Sequence, residues 1–341
     1  MCVVIYSSNY HPAHAQHMHA YALALHESGL SVVLWASDAY FTNHSFLRKF
    51  PRSSPEPFWS IIVLNMSLQT VIKSVLWRMK KRKILFCVHE PIGSLKDFQD
   101  LDLPPLQFVK LLLMRILIKA EILLSSQLIA FSKKSVKELR GIKPTFLHPL
   151  IYVDQNSTGA APLKKFLSYI GTIAKDHAFN EFVGFVDHCL TNDLFPDLRF
   201  LIATRSDFDP HHFDHQGAEK AARVVIKSGH MLSDSEINIH YAASAVIWCA
   251  YKRSNQSGVL PKAYMFGVPV VATEGTMGEH FEAGQLGAAI TSYEMEPVAD
   301  AVSAILRDYN RLSKNCRNYY KSTFDYKANV FGINRMVLSN E

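Results

Sequence analysis

Ala245-Val-Ile-Trp-Cys-Ala-Tyr-Lys-Arg-Ser-Asn-Gln-Ser-Gly-Val-Leu-Pro-Lys-Ala-Tyr-Met-Phe-Gly-Val-Pro-Val-Val-Ala-Thr273 is the stretch on which the fold turns. Its apolar run Ala245–Cys249 predicts a strand, Gly258–Phe266 a helix and Val268–Thr273 a second strand. Strand, polar turn, helix and strand in that order make one βαβ unit of a parallel sheet. Ser257-Gly258 stands where the helix opens. A glycine there lets backbone N–H groups approach an anion, and the helix dipole favours negative charge at that end.

The same rhythm extends in both directions. Upstream, Phe166–Ile170, Arg199–Ala203 and Arg223–Ile226 read as strands, with helices at Asn180–Leu190 and Ser233–Ala243. Ser233 and Glu236 form a capping-box pattern at the start of the latter. Downstream, Pro297–Leu312 reads as helix. An earlier series alternates strands at Cys2–Tyr6, Ser31–Trp35, Ile61–Leu64, Ile84–Val88 and Gln127–Phe131 with helices at His14–Ser28, Leu68–Lys80, Leu106–Leu124 and Lys133–Arg140. Gly29 is a natural stop for the first helix. Between the series, Tyr152–Leu163 is polar and carries Gly159 and Pro162, as a linker does. The expected organisation is therefore residues 1–151 as one Rossmann-like domain and 152–324 as a second. A closing helix over 325–341 is expected to pack back on the first.

Composition agrees with a folded α/β protein: 341 residues, 48% hydrophobic and 19% charged. The net charge of +6 is mild and gives no reason to expect nucleic acid as a partner. The charge is concentrated, however: from Lys73 to Lys143 there are 15 Lys and Arg against 6 Asp and Glu. Five widely spaced cysteines with no CxxC read as reduced thiols in a cytoplasmic protein. The apolar start, Met1 to Ser7, lacks a basic leader and reads as a first strand.

The order of these features resembles the GT-B glycosyltransferases, in particular the retaining family 4. That resemblance implies two doubly wound domains facing each other across a cleft. Phe166-Leu-Ser-Tyr-Ile-Gly171 is similar to the strand and glycine that open the family's nucleotide-sugar domain. Gly229 to Glu236 is similar to its base-flanking turn and helix, and Gly267-Val-Pro-Val-Val-Ala272 to its closing strand. Several of the family's charged positions are changed. Its two donor-site glutamates align with Ser254 and Lys262. Its phosphate-binding Arg and Lys align with Thr172 and His177, with Lys175 nearby. The usual glycine pair of the first loop is replaced by His11-Pro-Ala-His-Ala-Gln-His17.

The donor-binding candidates are accordingly Gly171, Thr172, Lys175, His177, Arg205, Ser254, Ser257, Gly258, Val259 and Lys262. Lys175, Arg205 and Lys262 are the alternatives for a replacement cation. His89 and Glu90 follow a strand end, and His89 resembles the family's active-site histidine; these two are the catalytic candidates. His11 and His14 are placed on the acceptor-side loop.

The implied reaction moves a sugar from a nucleotide-sugar donor to a glycan or lipid-linked acceptor with retention, in cell-surface polysaccharide synthesis. The resemblance implies that the donor phosphate itself takes the acceptor proton, so no pair of enzyme carboxylates is required; no cofactor or metal is expected. The rivals are a non-catalytic GT-B partner subunit and another GT-B enzyme such as a nucleotide-sugar epimerase.

Other patterns carry less. His11, His14, His17 and His19, and the run Asp207 to His215, are metal-like in composition, but both read as loop or solvated residues. Trp77 to Lys83 together with Leu106–Leu124 admits two readings. One is a weak attachment to an anionic membrane at the inner face. The other is a solvated basic turn over a buried helix, which the nearly uniform apolarity of Leu106–Leu124 favours.

Overall fold

The computed structural model describes residues 1–52, 58–89, 105–155, 164–252 and 257–339. It forms two compact units. Unit 1 comprises Met1–Val153 and Thr323–Glu341, and unit 2 comprises Asp154–Ser322.

Unit 1 is built on strands β1 (Cys2–Ser7), β2 (Ser31–Ala36), β3 (Ser60–Val63), β4 (Lys83–Val88), β5 (Gln127–Ala130) and β6 (Thr145–Leu147). They pair in the order β2-β1-β3-β4-β5-β6, every pairing parallel. Its helices are α1 (Pro12–Glu27), α2 (Asp38–Asn43), α3 (Leu68–Met79), α4 (Pro105–Leu124) and α5 (Lys133–Leu139). The inner strands β1, β3, β4 and β5 are mostly apolar and almost wholly buried, as strands of a parallel sheet covered on both faces are. Val4, Ile61, Ile84 and Leu128 meet Trp77 and Ile122 in one core. Gly29, at φ +82°, ends α1: its N–H bonds the His26 carbonyl and Leu30 N–H reaches Leu25.

One expectation fails here. Among the described residues, α4 is not a core helix. Glu121 and Ile122 are buried, whereas Leu106, Val109, Leu113, Ile116 and Leu123 are exposed. Apolarity around the whole circumference could not reveal which face meets the sheet.

Unit 2 contains β7 (Phe166–Ile170), β8 (Arg199–Ala203), β9 (Val224–Lys227), β10 (Ser244–Cys249), β11 (Val270–Thr273) and β12 (Gly287–Ile290), ordered β12-β11-β10-β7-β8-β9 and again parallel. Its helices are α6 (Phe179–Thr191), α7 (Ala218–Ala221), α8 (Asp234–Ala243), α9 (Val259–Met265), α10 (Met295–Arg307) and α11 (Tyr309–Tyr319). The capping box on α8 is present, with Ser233 and Glu236 satisfying each other's backbone. Phe182, Phe185, Phe200, Trp248 and Val302 form the core. The single helix expected over Pro297–Leu312 is two helices, broken at Asp308.

The chain then returns to unit 1. Tyr152 and Asp325 form a bridge, with Tyr152 N–H donating to Phe324 and Tyr326 N–H to Tyr152. Helix α12 (Tyr326–Leu338) lies against α1, and Tyr326 Oη donates to Glu27 at 2.7 Å. At its far end Lys83 Nζ donates to the carbonyls of Met336, Val337 and Ser339, so a strand lysine caps the helix C-terminus.

Candidate functional site

In open parallel sheets ligands collect at the carboxyl ends of the strands where the strand order reverses. In unit 1 the chain runs from β1 outward to β2 and then back to β3 on the other side of β1, so the reversal lies between β1 and β3. The loops after these strands are tied together: Asn65 accepts from Ser8 N–H at 3.0 Å and donates to the Asn9 carbonyl at 2.7 Å. His89 follows β4, and its Nε2 donates to the Leu64 carbonyl at 3.0 Å. A carbonyl only accepts, so this bond fixes the proton on Nε2 and leaves the lone pair on Nδ1.

Around His89 the structure gathers the histidines of the first loop and α1. The His14 ring stacks on His89 with centroids 4.8 Å apart, His11 lies 4.7 Å from His14, and His17 lies 6.2 Å from His89. His17 is held apart in role, because its Nδ1 donates to the Ile151 carbonyl. Burial pushes His89 down to about 4. Burial, then the neighbouring His89, takes His14 to about 2. Both are therefore neutral at physiological pH, fitted to exchange hydrogen bonds with hydroxyl groups and not to act as cations. Glu90, the other catalytic candidate, lies outside the described residues. Among those described, no three His, Cys, Asp or Glu side chains converge on a point that could hold a metal ion.

In unit 2 the reversal lies between β7 and β10. Gly171 ends β7 at φ +151°, a conformation side-chain-bearing residues rarely take, and a Cβ there would meet only open space. Thr172 turns its carbonyl inward, accepting from Tyr169 Oη at 2.6 Å and His177 Nδ1 at 3.0 Å. The His177 ring stacks on Tyr251, just after β10, at 4.6 Å. No sequence motif singles out Tyr251; only its place two residues past a strand end could have suggested it.

Lys175 is exposed in this loop, and Arg205 is exposed just beyond β8. The two loops are joined where Ile173 N–H bonds Ser206 Oγ and Gly171 N–H bonds the Ala203 carbonyl. Among the described residues neither Lys175 nor Arg205 has a carboxylate partner. Lys252, by contrast, is neutralised by Glu181 at 2.5 Å.

Two further candidates sit differently from expectation. Lys262 is 7% exposed, and its Nζ donates to Gln155 Oε1 at 2.9 Å and Asn238 Oδ1 at 2.8 Å. Burial lowers its pKa to about 8. It belongs to an internal amide network of the unit and not to an open cation site. Helix α9 is one residue shorter at its start than expected, with Gly258 in the ordinary right-handed region at φ −65°. The first helical N–H, of Val259, is already bound by Ser257 Oγ at 3.1 Å, and Ser257 also meets Tyr251 Oη at 3.0 Å. Ser254 lies outside the described residues.

The two sheets and their order are those of a GT-B protein, and the comparisons agree. Residues 164–308, within the unit that carries Lys175, Arg205 and His177, match the family model described as glycosyl transferases group 1. The structure of sucrose-phosphate synthase from Thermosynechococcus elongatus superposes with TM-score 0.66 at 14% identity, over 98% of each chain. A glycosyltransferase from Rickettsia africae ESF-5 gives 0.67 at 12% identity, over 100% of this chain and 99% of that one. Anabaena HepE, solved with UDP-glucose, gives 0.66 at 13% identity, over 99% of this chain and 98% of that one. No curated protein matches the sequence. At such identities the structural likeness establishes the fold.

Proposed function

We propose that the chain is a glycosyltransferase that takes its sugar from a nucleotide diphosphate donor held by unit 2. The observation that carries this reading is the pair Lys175 and Arg205: exposed cations on two tied loops, the first at the strand-order reversal and the second after the neighbouring strand β8, in the unit that matches the glycosyl transferases group 1 model. Loss of a sugar from a diphosphate leaves negative charge on the phosphate oxygens, and fixed cations stabilise it as it develops. Lys175 and Arg205 thus take over from the family positions occupied here by Thr172 and His177. Gly171, without a side chain and facing open space, lets the phosphate come close to backbone; Ser257 and Gly258 contribute less, since the Val259 amide is already engaged. Buried Tyr251 backs the His177 ring and fixes its orientation.

Neutral His89, with its lone pair on Nδ1, and the adjoining His11 and His14 are suited to the hydroxyl groups of a glycan or lipid-linked acceptor. With the donor phosphate taking the acceptor proton, the sugar keeps its anomeric configuration and no enzyme carboxylate is consumed. Synthesis of a cell-surface polysaccharide is the setting that fits such an acceptor. The UDP-glucose named in the HepE structure makes UDP the first nucleotide to test.

A second reading, a GT-B partner subunit that binds without turning over, is favoured by Lys262. The position that carries a ribose-binding acid in the resembling family is here an internal ammonium held by amides.

Calorimetry with UDP, GDP, ADP and CMP, followed by mass spectrometry with the matching nucleotide sugars, separates these readings. The enzyme reading expects binding of one nucleotide and slow release of its sugar to water. Lys175→Ala and Arg205→Ala should each weaken binding by about 1.5–3 kcal/mol, the worth of a charged hydrogen bond, while leaving the melting temperature unchanged. Binding without turnover selects the partner reading. Binding that neither substitution alters removes the proposed phosphate clamp.

A further inference from the structure

We infer that unit 1 docks on the surface of an anionic lipid bilayer through the paired helices α3 and α4. Each turns a stripe of large apolar side chains to solvent. On α3 these are Leu68, Ile72, Val75, Leu76 and Met79, from 41% to 75% exposed; on α4 they are Leu106, Val109, Leu113, Ile116 and Leu123, from 50% to 81% exposed. The spacing on α3 is that of one helical face, so these residues form a surface and not scattered exposures. Soluble monomers seldom leave such surfaces uncovered. The helices pack on one another and are joined by Ser74 Oγ donating to Glu121 at 2.6 Å.

The charge beside this surface selects its occupant. The C-terminal end of α3 leads into Arg78, Lys80, Lys81 and Arg82, and α4 carries Lys110 and Lys119 among its exposed residues. Between them α3 and α4 contain one carboxylate, Glu121, and it is fully buried. A second copy of the same face would set like charges against each other across a two-fold axis. A bilayer with anionic lipids offers both partners at once: acyl chains for the stripes and phosphates for the cations. No helix among the described residues is long and apolar enough to cross a membrane, so the contact lies at the surface.

A cavity of about 400 Å³ opens at the basic end, lined among others by Trp59, Arg78, Lys81, Arg82 and Ser126. Arg78 donates to Ser126, but Arg82 Nε is buried with no hydrogen-bond partner. The cavity lies at the amino ends of β3, β4 and β5, the opposite edge of the sheet from His89. It suits the phosphate of a lipid headgroup.

Flotation of the whole protein with vesicles tests this. Binding is expected to mixed phosphatidylglycerol and phosphatidylcholine vesicles at low salt, with little to phosphatidylcholine alone and progressive loss as salt rises. Lys80→Glu with Lys110→Glu should weaken binding roughly five-fold or more per cation replaced. Leu76→Ser with Leu113→Ser should weaken it without lowering the melting temperature, since both side chains are exposed. Absence of flotation with anionic vesicles at low salt overturns the inference. So does undiminished flotation of both double variants. Light scattering provides the third arm: a dimer of the free protein that Leu76→Ser with Leu113→Ser dissolves would show that a second copy covers this face.

Discussion

Glu121 shows how one residue is controlled by its surroundings. It sits between α3 and α4 with one oxygen bonded by Ser74 and the other buried without a partner. Burial raises its pKa from 4.5 to about 7. The folded state therefore holds this proton more tightly than the unfolded chain does. Its contribution to stability is full below pH 4.5 and is lost as pH rises through 7. The displacement corresponds to about 3 kcal/mol at alkaline pH. Glu121→Gln keeps the shape and removes the charge, so urea denaturation should show a gain approaching that size at pH 8 and little change near pH 4.5. Lys262 is the opposite case, a charge retained inside the fold because two amide oxygens face it. Neither environment is legible in sequence: Gln155 and Asn238 are 107 and 24 residues from Lys262. Likewise Ser74 is 47 residues from Glu121.

At the scale of elements, the sequence is informative wherever a local pattern decides. The strands Phe166–Ile170 and Arg199–Ala203 have the bounds their apolar runs predict, and the α8 capping box is where Ser233 and Glu236 place it. Elements without local signal escape. Helix α2 is only six residues long. β12, Gly-Ala-Ala-Ile, has too little apolar bulk to stand out and is placed by pairing with β11. The histidine cluster was legible only as separate members, since stacking of His14 on His89 depends on the sheet that brings α1 to the end of β4.

Helix termini offer a direct test at this scale. After α3 the chain turns through Lys81 at φ +53°, with Lys81 N–H bonded to Arg78 and Arg82 N–H to Trp77. This is the position that glycine takes after α1. Lys81→Gly relieves the left-handed strain of about 1–2 kcal/mol. Part of that is offset by the greater freedom of glycine in the unfolded chain. A net gain of about 0.5–1 kcal/mol should appear as a raised melting temperature, and a loss would mean that the lysine side chain contributes more than its backbone costs.

For the whole molecule, acid is the revealing variable. His19, His89 and His148 are pushed down to about 4 and His14 to about 2, each chiefly by burial. The unfolded chain protonates these rings near 6.5, while the folded chain resists. Their contribution is present above pH 6.5 and is lost as pH falls toward 4, a trend that Glu121 opposes with a single group. The denaturation midpoint should therefore drop steeply between pH 7 and pH 5. His19, both of whose ring nitrogens are buried without partners and which stacks on Phe46 at 4.6 Å, is the cleanest probe. His19→Phe should flatten the acid slope and raise stability at neutral pH by about 1–3 kcal/mol. An unchanged slope would place the acid sensitivity elsewhere.

The bridge between Tyr152 and Asp325 bears on how the gene can be cut. Because unit 2 leaves from Val153 and its chain comes back at Thr323, the severed ends of unit 1 would lie side by side, already joined by backbone hydrogen bonds. A linker of a few residues from Val153 to Thr323 would close that gap at a small loop-closure cost. Unit 2 is thus a cassette, whose exchange should leave α12 docked on α1.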